Sequence, residues 1–233
     1  MIPLLVLRPE PGAGATAAAA RERGLHPLVA PLFAIRAVAP DLSGLRDRPD
    51  ALLFTSANAV RALGDRSAAW REWPVYAVGA ATAAAARAAG FATVTAGASD
   101  AAAILARAAA DGCRHLLHLA GREHRAADHP DIRIDRVVCY AADPVEALPP
   151  AVVAAAAGGA VALLHSPRAA ETFGPLLDRA GVARRTVALA ALSPAVAVAA
   201  GPGWRAVRAA CRVDEAALLA VGGKLCEEIG REA

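Results

Sequence analysis

The sequence predicts an α/β protein built from two similar lobes, each a parallel sheet flanked by helices. Two observations carry this. Short apolar runs alternate with longer alanine-rich helical stretches, as in parallel βαβ units. The turn residues that close those runs also recur at a spacing of about 110 residues, too long for a solenoid unit and right for a duplicated lobe.

Taken in order, Leu4-Leu5-Val6-Leu7 reads as a buried strand and Ala13 to Arg23 as a helix closed by Gly24. His26 to Leu32 reads as a second strand and Leu52 to Thr55 as a third, followed by a helix from Ala57 to Leu63. Val75 to Gly79 leads into a helix ending at Gly90. Ala92 to Ala96 is a strand, and Ser99 or Asp100 caps a helix through Ala110. His115 to Leu119 and Val137 to Tyr140 are further strands. After Pro149-Pro150 the cycle resumes with Val161 to Leu164, Val187 to Leu192 and Ala206 to Ala210, and a last helix starts near Asp214.

The repeat aligns Ala51–Ala59 with Ala162–Ala169, Val75–Ala86 with Leu189–Ala200, and Phe91–Ala108 with Trp204–Val221. It also aligns the opening Leu4–Glu10 with Leu116–Glu123. Alanine, about 28% of the 233 residues, inflates such matches, so the turn residues decide. In open parallel sheets ligands sit at the carboxyl ends of the strands, where helix N-termini offer free N–H groups to anions. Thr55-Ser56, Gly79 to Thr82, Gly121-Arg122, Ser166-Pro167-Arg168 and Ser193-Pro194 all fall at such ends. Any one of them alone reads as an ordinary N-cap. Five in matching positions point to a site for an anionic ligand.

Composition narrows the class. The mean hydropathy of +0.38 comes mostly from alanine. The two longest uncharged stretches, Ala147–Leu164 and Thr186–Trp204, are broken by Pro and Gly, so no membrane span is expected. The start carries no signal-peptide pattern. Cys113, Cys139, Cys211 and Cys226 are widely spaced without a CxxC pair, which predicts free thiols in a reducing, cytoplasmic setting. The net charge of +3 is interspersed and gives no basic run for nucleic acid. Arginine supplies 24 of the 25 basic residues, with Lys224 the one lysine; it can hold carboxylates through two parallel hydrogen bonds.

Other chemistries find little support. Gly12-Ala13-Gly14-Ala15-Thr16-Ala17 fits the dinucleotide fingerprint in form only. Pro9-Glu10-Pro11 parts it from the strand, and no acid ends the second strand to hold a ribose, so it reads as a loop into a helix. His115 and His118 lie three apart on a strand and point to opposite faces. With no Cys or carboxylate at familiar spacing beside them or His124 and His129, no metal is expected. Ser166 lacks the flanking glycines of a nucleophile elbow. Tyr140, at a strand end, is either a proton or hydrogen-bond donor or a packing residue at a lobe boundary.

The ordered set LVLRPEPGAGATAAAARERG, DALLFTSANAVRAL, VYAVGAATAAAARAAGF, HLAGRE, VVCYAADP, ALLHSPRAAETF and ALSPAVAVAA resembles the uroporphyrinogen-III synthase family over nearly the whole chain. The resemblance implies two flavodoxin-like lobes joined by a two-segment hinge, with the active-site cleft between them. Lobe 1 would be residues 1–35 plus 143–233 and lobe 2 residues 36–142, with crossings near Arg36–Pro40 and Tyr140–Pro144. It implies conversion of hydroxymethylbilane to uroporphyrinogen III with ring D inverted and water lost, by a cofactor-free monomer. The competing reading is a non-catalytic two-lobed binder of an anionic small molecule.

By position, Tyr140 matches the tyrosine proposed to help the hydroxyl depart. Arg8, Ser56, Asn58, Gly79, Thr82, Gly121, Ser166, Arg168 and Ser193 match or adjoin substrate-binding positions. Two departures stand out. Ala195 and Val196 replace the paired threonines of many relatives, and Gly121 to Asp135 is short enough to be a loop, with His124 and His129 in it.

Overall fold

The computed structural model describes residues 1–97, 100–124 and 126–232. The chain divides into two compact units. Unit 1 is Met1–Ala34 with Pro144–Ala233, and unit 2 is Ile35–Asp143.

Unit 1 holds β1 (Pro3–Val6), α1 (Gly12–Arg21) and β2 (His26–Val29). The first crossing to unit 2 lies in β3 (Phe33–Ala37), and unit 2 continues with β4 (Ala51–Phe54), α2 (Ala57–Leu63) and β5 (Val75–Ala77). Then come α3 (Ala80–Ala88), β6 (Val94–Ala96), α4 (Ala101–Ala110), β7 (His115–Gly121) and β8 (Arg133–Pro144). Back in unit 1 follow α5 (Pro150–Ala157), β9 (Ala160–Leu164), α6 (Pro167–Arg179), β10 (Val187–Ala191), α7 (Pro194–Ala199), β11 (Ala206–Ala209) and α8 (Glu215–Glu232).

The sheet of unit 1 runs β11-β10-β9-β1-β2 and that of unit 2 runs β3-β8-β7-β4-β5-β6. Read from the opposite edge, unit 2 is β6-β5-β4-β7-β8, the same order with β3 added. The pairing register follows the repeat with Ser56 set on Ser166, one residue from the Ala51–Ala162 start of the sequence match. Leu52 stands opposite Val75 as Ala162 stands opposite Leu189, and Val75 opposite Val94 as Leu189 opposite Val207. The central strands are buried on both faces, which is why they read as unbroken apolar runs rather than alternating ones.

Three expectations need correction. The second strand ends at Val29, not Leu32: its regular pairing with β1 stops at Val29 opposite Val6, and beyond it the Ala30 and Leu32 amides donate singly to the carbonyls of Val6 and Leu7. The stretch after it is not a bare crossing but β3, which lies beside a 12-residue β8 where only Val137 to Tyr140 was expected. Both crossings between the units are therefore strand, and Asp143 at the end of β8 is held by Arg36 (3.1 Å) and Arg122 (3.2 Å). Finally, Gly12 and Gly14 lie inside α1 rather than in a loop before it. A Cβ on Gly12 would fall 2.6 Å from Arg8 Nε, so this glycine makes room for an arginine, not a pyrophosphate.

Candidate functional site

Each unit places its polar turns at the carboxyl ends of its own strands. In unit 2, β4 ends in Thr55 and Ser56, and Ser56 caps α2 by accepting from the Asn58 amide (3.2 Å). Gly79 caps α3 at φ 80°, a left-handed conformation that side chains avoid. Thr82 is buried within the first turn of α3. Asp100 caps α4 by accepting from the Ala102 amide (3.0 Å), while Ser99, the other expected cap, lies outside the described residues.

The ladder between β7 and β8 breaks beside Gly121. Ala120 pairs with Val138, but Gly121 pairs with Tyr140, so Cys139 and Tyr140 together face one residue. Such a bulge re-aims the side chains next to it. Cys139 is buried, with its Sγ donating to the carbonyls of Ala120 (3.5 Å) and Ala59 (3.8 Å), and burial pushes its thiol up to about 12. Tyr140 instead lays its ring over Gly121, where a Cβ would meet Cζ at 2.6 Å and Oη at 2.8 Å. Glycine is required here by close approach.

Around this phenol lies a cavity of about 540 Å³ whose lining includes Thr55, Ser56, Asp100, Gly121, His124 and Tyr140. In the middle of β7, His118 is fully buried and its Nε2 is 3.0 Å from the Thr55 hydroxyl. Burial, then the charges of His124 and Arg136, lower its pKa to about 4, so it is neutral at ordinary pH. His115, on the same strand, goes elsewhere and pairs with Asp135 at 2.8 Å.

In unit 1 the matching strand end carries an ion network. Arg8 Nη1 reaches Glu215 Oε2 at 3.0 Å, Thr16 donates to Glu215 Oε1 at 2.5 Å, and His165 Nε2 lies 3.2 Å from Glu215 Oε2. Burial opposes the charge on Glu215. Hydrogen bonds from His165 and Thr16 and the charges of His165 and Arg8 outweigh it and hold the carboxyl at about 2. Ser166 caps α6 by accepting from Ala169 (3.1 Å), and Ser193 caps α7 by accepting from Val196 (3.4 Å). The Arg168 guanidinium sits 4.5 Å over the Phe33 ring.

The structure thus brings Ser56, Gly121 and Tyr140 to one cavity in unit 2, with Asn58 on the capped first turn beside it and Gly79 and Thr82 at the neighbouring strand end. Ser166, Arg168, Ser193 and Arg8 belong to unit 1, where Arg8 is engaged by Glu215. Thr55 entered the sequence reading only with Ser56, as one of the strand-end turns, and His118 and Glu215 had no part in the site; Glu215 meets Arg8 across 207 residues of chain and was not findable.

The family profile for uroporphyrinogen-III synthase HemD matches residues 14–220. No curated protein matches by sequence. Among solved structures, uroporphyrinogen-III synthetase from Helicobacter pylori is similar in fold, with a TM-score of 0.65 at 15% identity over 96% of this chain and 99% of that one. A mutant uroporphyrinogen III synthase from Thermus thermophilus gives a TM-score of 0.51 at 16% identity over 98% and 99% of the two chains. With the profile spanning most of its length and each unit a helix-flanked parallel sheet, this chain belongs to the uroporphyrinogen-III synthase family.

Proposed function

We propose that Tyr140 is the acid that starts the family reaction in this chain, and that the polar strand ends of both units hold the substrate. The reaction itself follows from membership: the chain is a cyclising lyase of tetrapyrrole synthesis that closes hydroxymethylbilane to uroporphyrinogen III with inversion of ring D. The observation that supports the assignment is the phenol of Tyr140, laid over Gly121 by a bulge and facing a cavity lined by Thr55, Ser56 and His124.

The chemistry suits these groups. The hydroxyl leaves as water once protonated, and the azafulvene that remains is attacked from the substituted carbon of ring D. The resulting spiro centre fragments and recloses inverted. No electrons are gained or lost overall, so the steps need an acid, a base and precise folding of the chain of rings, and a cofactor has no redox task. Eight carboxylates must be held while the simpler uninverted closure is discouraged. Amides at the first turns of α2 and α3, next to Ser56, Asn58, Gly79 and Thr82, can bind such arms, as can those of α6 and α7 next to Ser166, Arg168 and Ser193.

Arg8 enters this reading indirectly, through Glu215, by fixing α8 beside β1. The reading also has the protein act as a cytoplasmic monomer. Among the described residues, no helix is long and apolar enough to cross a membrane.

The test supplies hydroxymethylbilane and separates the porphyrin isomers after oxidation. Isomer III above the spontaneous background is expected, and isomer I alone would overturn the reading. Tyr140→Phe should lower kcat by on the order of 100-fold, the lower range for a lost general acid. Its melting temperature should stay near wild type, since the half-buried ring keeps its packing.

A further inference from the structure

Arg122 to Ile132 link two parallel neighbours, β7 and β8, with no helix among their described residues. This loop turns His124 back over the strand end, where its Nδ1 lies 3.0 Å from the Gly121 carbonyl oxygen. A carbonyl can only accept, so Nδ1 carries the hydrogen and the lone pair of the neutral ring is on Nε2. His124 lines the same cavity as Tyr140, and Gly121 touches both, through its carbonyl on one side and the phenol ring on the other.

The surroundings suit a proton acceptor. The His118 ring stands edge-on to His124 with centroids 5.8 Å apart, a buried neutral neighbour that fixes the ring without competing for protons. Among the described residues, the other ionisable groups lining the cavity are Asp100, Glu123, Asp128 and Tyr140, and Arg136 of β8 pairs with Asp128.

We propose that Nε2 of His124 is the base of the reaction, paired with Tyr140 as the acid; this rests on the reading of Tyr140 given above. The C–O electron pair leaves with the hydroxyl oxygen, and the Tyr140 proton makes it water, leaving a phenolate and an azafulvenium cation. Ring D donates an electron pair to form the new C–C bond, fragments and recloses. The carbon that closes the macrocycle then still bears its hydrogen. That C–H pair returns to the pyrrole ring as His124 Nε2 takes the proton. Transfer of this proton to the Tyr140 phenolate through water restores both groups, so substrate yields only macrocycle and water.

The experiment compares the full chain with His124→Ala and His124→Gln. His124→Ala should lose on the order of 100-fold in kcat, with KM changed by less than about threefold and the melting temperature unchanged. Imidazole added to the buffer should restore its turnover. Glutamine can still donate to the Gly121 carbonyl but takes up no proton, so His124→Gln should be as slow as the alanine variant. Normal turnover in either variant, or no response to imidazole, would overturn the proposal. The same assay separates this from failure of the functional reading, because a wild-type protein yielding only isomer I condemns that reading before any variant is compared.

Discussion

The same chain path ends in an ion network in one lobe and in a cavity in the other. With the caps Ser166 and Ser56 superposed on the repeat, the paired registers of β1 with β9 and β7 with β4 bring Arg8 to the place of Ala120. The helix that starts at Glu215 after Asp214 takes the place of the one that starts at Ala101 after Asp100. Unit 1 therefore carries a cation and a carboxylate where unit 2 carries two methyl groups. Unit 1 also follows its strand with a helix, whose Thr16 binds Glu215, where unit 2 has a loop. Duplication supplied the frame, and small residues together with a shortened crossing opened one copy to a ligand. A strand end becomes a site by what is removed from it as much as by what is added.

The sharpest way to break that contrast is to put a methyl group back. In Gly121→Ala the new Cβ would lie 2.6 Å from Tyr140 Cζ, far inside contact distance, so the phenol must swing away. Turnover should fall by at least about 100-fold, the scale of a displaced acid. Melting should shift little, because the ring moves toward an open cavity. Steady-state kinetics beside a thermal melt checks both; normal kcat would show that the Tyr140 position is not needed.

The network of unit 1 predicts the reverse, a loss of stability before a loss of chemistry. Glu215→Ala strips partners from Arg8, Thr16 and His165 together and should cost about 2 kcal/mol, within the range for leaving part-buried charged groups unsatisfied. Urea unfolding measures it. The pH dependence has a definite sign. The folded carboxyl is depressed to about 2 from 4.5, so its stabilisation is complete above 4.5 and disappears as pH falls toward 2. Wild type should lose stability over that window more steeply than Glu215→Gln, and parallel acid-unfolding curves would remove Glu215 from the account.

How much of this could be read from the sequence depends on whether the signal was local. The apolar runs, the serine and aspartate caps and the repeat were legible because each rests on neighbours a few residues apart. Phe33-Ala-Ile-Arg-Ala37 was not, since as a sheet-edge strand it buries little beyond Phe33 and sits between Pro31 and Pro40, which suggested a crossing. The start of β8 hid for a related reason: Arg133, Asp135 and Arg136 break up its apolar pattern, while the ladder to β7 makes it a strand. At the site, Ser56, Gly121 and Tyr140 stood out as the non-alanine residues of strand ends. His124 was noticed only as a metal candidate set aside and as a departure, because its role depends on where a loop without periodicity turns.

The smallest effect compares the lobes most evenly. Ser56 and Ser166 cap α2 and α6 with similar geometry, accepting at 3.2 and 3.1 Å, so Ser56→Ala and Ser166→Ala should each cost about 1 kcal/mol. Equal costs in stability need not mean equal costs in function. Ser56 lines the cavity that holds Tyr140, whereas Ser166 stands beside the closed network of Glu215. The rise in KM should therefore be larger for Ser56→Ala, by about threefold, on the scale of one modest hydrogen bond to a carboxylate arm. Measuring urea midpoints and KM on the same two proteins separates the roles. If Ser166→Ala raised KM as much, the strand end of the lobe with the network would bear as much of the substrate as the cavity does, and the uneven division drawn from the cavity would give way to an equal one.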